Sequence, residues 1–145
     1  MQEILIVKLH GYIIQNNLDL LITLQENGSV ENYLKEKVLS IETLLTQLMA
    51  EDAPAYLIEV RCMDVLTQDL RPSKYNYLTS VLEEEFESNY SRLKENGTLP
   101  YEVINLIELC DPLFETVGFT EDNENGRHLG YAITGAIHEY FENKQ

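Results

Sequence analysis

Val30-Glu31-Asn32-Tyr33-Leu34-Lys35-Glu36-Lys37-Val38-Leu39-Ser40-Ile41-Glu42-Thr43-Leu44-Leu45-Thr46-Gln47-Leu48-Met49 is the stretch that decides the fold. Val30, Leu34, Val38, Ile41, Leu45 and Leu48 recur at steps of three and four, the spacing of one helix face. Glu31, Lys35, Glu42 and Gln47 fall elsewhere on the cylinder, and Glu31 stands four before Lys35 in the favourable order. Asn27-Gly28 marks a turn just ahead of it, and Ser29 is the expected N-cap.

The same reading extends both ways. A first helix is expected over Gln2–Asn16, with Ile4, Ile6, Leu9, Tyr12 and Ile13 at helical spacing, weakened by Gly11 at about 1 kcal/mol relative to alanine. Leu18 to Leu24 reads as a short helical turn. Asp52 is expected to cap a third helix with Pro54 in its first turn, running through Ile58, Cys62, Val65 and Leu66 to about Asp69. Arg71-Pro72 ends it. Ser73 caps a fourth helix, Lys74 to Asn89, with Tyr75, Leu78, Leu82 and Phe86 inward. Thr98 and Pro100 open a fifth through Val103, Ile104, Ile107 and Cys110, with a kink or a break at Pro112. After the polar loop 118–126 the last helix spans Arg127–Asn143, with Leu129, Ile133, Ile137 and Tyr140 on one face. The expectation is an all-α fold: one domain over residues 1–145, a compact multihelical bundle of about six helices. No repeat stands out at solenoid periods.

Composition restricts the function. At 44% hydrophobic the chain can build a core, so its formal net charge of -15 is not a sign of disorder. Acids outnumber bases 11 to 5 over residues 1–72 and 14 to 5 over 73–145, so no basic half is set aside for phosphates. Direct nucleic-acid binding and attachment to an anionic membrane are therefore not expected. The start lacks the charge pattern and cleavage site of a signal peptide, and no apolar run reaches membrane-spanning length. The expected location is the cytoplasm, with Cys62 and Cys110 as reduced core residues.

No cofactor, metal ligand or catalytic residue is expected. His10, His128 and His138 form no ligand-spaced pair, and neither cysteine has a partner at zinc spacing. Glu121, Asn123 and Asn125 fit the first positions of a calcium loop, but Ala132 stands where a bidentate carboxylate is needed. No nucleophile elbow or glycine-rich phosphate loop occurs. What remains is an unknown protein partner. Glu83, Glu84 and Glu87, with Glu85, form the densest anionic run and suit a solvated face, a partner surface or a mimic of nucleic acid. Ser73, Lys74 and Tyr75 complete the candidate partner-binding set. Gly130, Gly135 and Ala136 give the last helix a small-residue face on which a homodimer is a further expectation.

Three segments together carry a family likeness: His10-Gly11-Tyr12-Ile13, Ser73-Lys74-Tyr75-Asn76-Tyr77-Leu78 leading to Glu85-Phe86, and Leu129-Gly130-Tyr131-Ala132-Ile133-Thr134-Gly135-Ala136-Ile137 before Tyr140. They resemble the domain-of-unknown-function family 1896, small proteins of Bacteroides-group bacteria. The resemblance implies an all-helical fold and genes often near mobile elements, and it brings no active site. Asn123-Glu124-Asn125-Gly126 departs from that family, which tends to a serine-proline helix start here.

Overall fold

The computed structural model describes residues 1–144. It is all-α: among those residues there are nine α-helices, one short 3-10 turn and no strand. The helices are α1 (Gln2–Asn16), α2 (Leu18–Glu26), α3 (Val30–Ser40), α4 (Glu42–Ala50), α5 (Ala55–Leu66), α6 (Lys74–Glu85), α7 (Glu87–Glu95), α8 (Leu99–Val117) and α9 (Arg127–Asn143), with the 3-10 turn at Gln68–Leu70. Where the length suggested one domain of about six helices, the chain groups into two compact units, Met1–Arg71 and Pro72–Gln145. The extra helices come from breaks at Ile41 and Phe86 inside two of the expected segments, and from Leu18–Glu26, a full helix where a short turn was expected.

In the first unit, Leu5, Leu9 and Ile13 of α1 meet Leu34, Val38, Ile41, Leu45 and Leu48 of the α3–α4 stripe and Ile58, Cys62 and Leu66 of α5. All are nearly or fully buried, so the periodicity that predicted the helix also lined the core. The stripe crosses a break at Ile41, which leaves helical geometry while keeping its side chain inside. In the second unit, Leu78 and Leu82 of α6 pack with Val103, Leu106, Ile107, Cys110 and Phe114 of α8 and Leu129, Ile133 and Ile137 of α9. Tyr77, Phe114 and Phe119 close one end of that core, with ring centroids 4.7–5.6 Å apart.

Several local expectations are corrected. Asp52 does not cap α5; Pro54 occupies that N-cap position, and Asp52 instead ends α4 at φ 55. The amide of Ala53 bonds to the carbonyl of Leu48, and that of Asp52 to Met49, the pair of reversed bonds that satisfies a helix C-terminus. Ser29 sits at the N-cap of α3 without bonding an amide there; its hydroxyl donates back to the Leu24 carbonyl at 3.4 Å. The fourth predicted helix stops at Phe86 (φ -134, ψ 51) and restarts as α7. Pro112 does not break α8. The bond it cannot make would go to Glu108, and both residues are exposed, so water can satisfy that carbonyl while Cys110 and Phe114 stay packed.

The two units repeat one another. A shift of 69 positions lays α2 on α7 end to end, 18 onto 87 and 26 onto 95, and starts α3 where α8 starts, 30 onto 99. The kinks before them also superpose: Asn17 (φ -134, ψ 54) falls on Phe86 with nearly the same backbone angles. The sequence follows, with Leu24-Gln25-Glu26-Asn27-Gly28-Ser29-Val30 matching Leu93-Lys94-Glu95-Asn96-Gly97-Thr98-Leu99. Gly28 and Gly97 take the left-handed conformation, φ 64 and 71, at equivalent helix ends. Core positions correspond: Leu9 with Leu78, Ile13 with Leu82, Leu34 with Val103, Ile41 with Cys110. The register then slips by three residues, so that Asp52 of the first unit plays the part of Gly118 of the second. A period of 69 lies beyond the solenoid range, and residue identity at that shift is concentrated in the turn segment, where four of seven positions agree.

Candidate functional site

The six sequence-selected residues lie in the second unit, and three of them have internal roles. The Ser73 hydroxyl accepts the Asn76 amide at 3.0 Å and so caps α6. Lys74 Nζ lies 2.9 Å from Asp111 Oδ1 and 5.4 Å from the centroid of the Phe114 ring, so its charge is held between a carboxylate and an aromatic face. Tyr75 is half-buried against the core of the unit. Glu83, Glu84 and Glu87 are exposed. The spacing of four would set Glu83 and Glu87 on one face of a continuous helix, but the break at Phe86 puts them on separate helices.

The buried polar chemistry of this unit centres on Glu102, whose side chain is 10% exposed. Lys144 Nζ reaches both of its carboxylate oxygens, at 2.9 and 3.1 Å. The ammonium also sits 5.1 Å from the Tyr140 ring centroid. Its bond to Glu102, then that to Tyr140, raises the lysine's pKa; the Tyr140 hydroxyl is raised by burial first and by Glu102 second. This triad ties the end of α9 to the start of α8, and its carboxylate is already engaged.

The loop before α9 is tied internally too. Asn123 accepts the Thr120 amide through Oδ1 at 2.8 Å and donates through Nδ2 to the carbonyls of Val117 and Gly118. Among the described residues, no three His, Cys, Asp or Glu side chains come together as a metal site would require. Glu3 and Glu42 share the rim of an open hollow of about 410 Å³ in the first unit, but both side chains are exposed to water. Burial pushes the Cys62 thiol up, and burial with the Asp111 charge raises that of Cys110 to about 11. Both cysteines are free and buried. Among the described residues no helix is long and apolar enough to cross a membrane. On α9, a side chain added at Gly130 or Gly135 would meet nothing within 4 Å, so no neighbouring helix exploits that small-residue face.

One surface was not singled out by sequence reasoning. With Leu5, Leu9 and Ile13 turned inward, the opposite side of α1 carries Ile4, Val7, Gly11 and Ile14. Ile4 is 46% exposed, Val7 70% and Ile14 47%. Ile4, assigned to the helical stripe from its spacing, points away from the core. On α5, Ile58, Cys62 and Leu66 are buried, while Tyr56 and Val60 are 70% and 63% exposed. Lys8 pairs with Glu59 at 3.3 Å. Lys8 is one turn from Ile4 and Glu59 one turn from Tyr56, so the two apolar strips flank that ion pair. The signal was present in α1: it has more apolar residues than one buried face can use.

The internal repeat carries this outward apolar line in one copy only. The counterparts of Ile4, Val7, Gly11 and Ile14 at the 69-residue shift are Ser73, Asn76, Ser80 and Glu83, while the buried Leu9 and Ile13 correspond to the buried Leu78 and Leu82. Leu9 and Ile13 keep apolar counterparts, whereas the fully buried Leu5 corresponds to Lys74, so the inward face is kept only in part and the outward apolar line belongs to one copy alone.

Searches of protein-family models, curated proteins and solved structures found no match to this chain.

Proposed function

We propose that the protein is a non-enzymatic, acidic protein-interaction module of the cytoplasm, working through the apolar face of α1 and α5. The observation that carries this reading is the exposed strip Ile4, Val7, Ile14, Tyr56 and Val60, in a unit whose repeated copy is polar along the corresponding line of its first helix. Clustered exposed apolar side chains of this kind mark contact sites in folded proteins. Local charge agrees: α1 and α5 carry Glu3, Glu59 and Asp64 against Lys8 and Arg61, nearly balanced in a chain of net charge -15. The resemblance to the Bacteroides-group family supports an accessory role near mobile elements as its setting.

A photo-crosslinking residue at Val7, compared with one at its counterpart Asn76, tests the reading in cells. A discrete adduct from position 7 and none from 76 is expected. Equal labelling from both positions, or none from either, would overturn it.

A DNA-mimic reading draws on the exposed Glu83, Glu84 and Glu85, which have no ion pair among the described residues. Competition with duplex DNA for a basic DNA-binding domain, lost on Glu83→Gln/Glu84→Gln/Glu85→Gln, tests it. An enzymatic reading through paired carboxylates rests on Glu3 and Glu42 alone, and a hydrolase screen unchanged by Glu42→Gln would remove it.

A further inference from the structure

We infer that the outer face of α1 is a self-complementary seam that pairs antiparallel with α1 of a second copy of this chain. The inference rests on the interaction reading above and names its partner.

The argument starts from spacing. Ile4, Val7, Gly11 and Ile14 are separated by three, four and three residues, the alternation of a coiled-coil seam. All four are exposed, on the helix side opposite the buried Leu5, Leu9 and Ile13. The order of side chains is what selects the partner. When two such helices run antiparallel about a two-fold axis at the level of Leu9, Ile4 falls beside Ile14 of the second copy, and Val7 beside its Gly11. The pattern is a palindrome in which the one large-small mismatch complements itself. A parallel arrangement would set glycine against glycine and leave a gap at the centre of the seam.

Gly11 supports this independently. A side chain added there would meet nothing within 4 Å, so neither the fold of the unit nor its backbone conformation requires glycine at that position. It lies inside a helix, where it costs about 1 kcal/mol against alanine, and its counterpart is Ser80. A receiving notch for Val7 of another copy accounts for it.

Ile4, Val7 and Ile14, with Tyr56 and Val60 flanking them, expose on the order of 500 Å² of surface per copy, so a pairing that covers both helices buries roughly 1,000 Å² before the polar rim is counted, the floor for a specific interface. Charge fits too. The strip lies on the two helices where acids and bases nearly cancel, so the approach of two copies brings their least charged sides together.

The experiment is light scattering and analytical ultracentrifugation on the full chain with three variants, each checked for an unchanged helical melt. The wild type is expected to dimerise. Val7→Glu should weaken the dimer by at least tenfold, and Gly11→Val should do so by filling the notch. The swap Val7→Ala/Gly11→Val should restore it, because valine then faces alanine across the axis. Recovery in the swap is specific to antiparallel pairing of this seam. A wild type that stays monomeric throughout, or a dimer indifferent to Val7→Glu, overturns the inference. If the wild type is monomeric while position 7 crosslinks to a different protein, the second copy is excluded as partner and the interaction reading stands. If position 7 yields no adduct, both fall.

Discussion

Asp52→Gly is expected to stabilise the protein, against the usual direction of mutations. Four helix ends share the same reversed-bond motif, with Gly28, Gly97 and Gly118 at φ 64–71 in three of them and Asp52 at φ 55 in the fourth. A residue with a side chain pays roughly 1–2 kcal/mol to hold this conformation, less for Asp, whose short side chain tolerates it. Glycine removes that strain but loses more backbone freedom on folding, about 0.5–1 kcal/mol. The difference leaves a gain of about 0.5 kcal/mol for Asp52→Gly. The converse follows at Gly97: Gly97→Ala should cost about 1 kcal/mol although nothing lies within 4 Å of the added carbon, because conformation rather than space opposes it. Urea unfolding followed by circular dichroism measures both, as midpoint shifts at constant slope. If Asp52→Gly lowers the midpoint, or Gly97→Ala leaves it unmoved, the account of these helix ends is wrong.

The two thiols should be silent in the native protein, because each is buried and its pKa is raised. Since Cys62 lies in the first unit and Cys110 in the second, Cys62→Ala and Cys110→Ala variants labelled with a chromogenic disulfide in urea will report the opening of each unit separately; rapid labelling at pH 8 without denaturant refutes this. Lys144→Met should destabilise the second unit by about 1–2 kcal/mol, since it leaves the Glu102 carboxylate buried without its cation, and Lys144→Met/Glu102→Leu should recover part of that in a thermal melt. The raised Lys144 pKa gives the alkaline pH dependence: the lysine's contribution is present below the ordinary lysine range and is lost as pH rises through the higher folded value, so wild-type and Lys144→Met melts should converge in strong alkali. Dimerisation through α1 should tighten with added salt, because screening weakens the repulsion between two chains of net charge -15; dissociation on adding salt would indicate an ionic interface instead.

How much of this was legible in the sequence differs by element. The boundaries of α1 and α9 and the stripe through α3 and α4 follow directly from apolar spacing, because there tertiary burial and local periodicity agree. The break at Phe86 was not visible. Phe86 is apolar and in phase with Leu82, and its backbone resembles that of Asn17, a polar residue, so the bend does not depend on either side chain alone. Pro112 misled in the other direction, since its cost depends on which side of the helix meets water. The candidate surface was harder still. Ile4 and Val7 look like core residues until Leu5 is known to be the one turned inward, and a rotation of one residue decides between interior and surface.

The closure of the first unit within its own 71 residues bears on how the chain is made. Its longest ties, from Asn17 to the Leu70 carbonyl and from Lys8 to Glu59, both end before the boundary at Arg71. During synthesis those partners leave the ribosome before α6 begins. The first half can therefore finish its core while the second, related in sequence, is still being translated. Two similar segments in one chain risk exchanging helices, and the order of emergence works against that exchange.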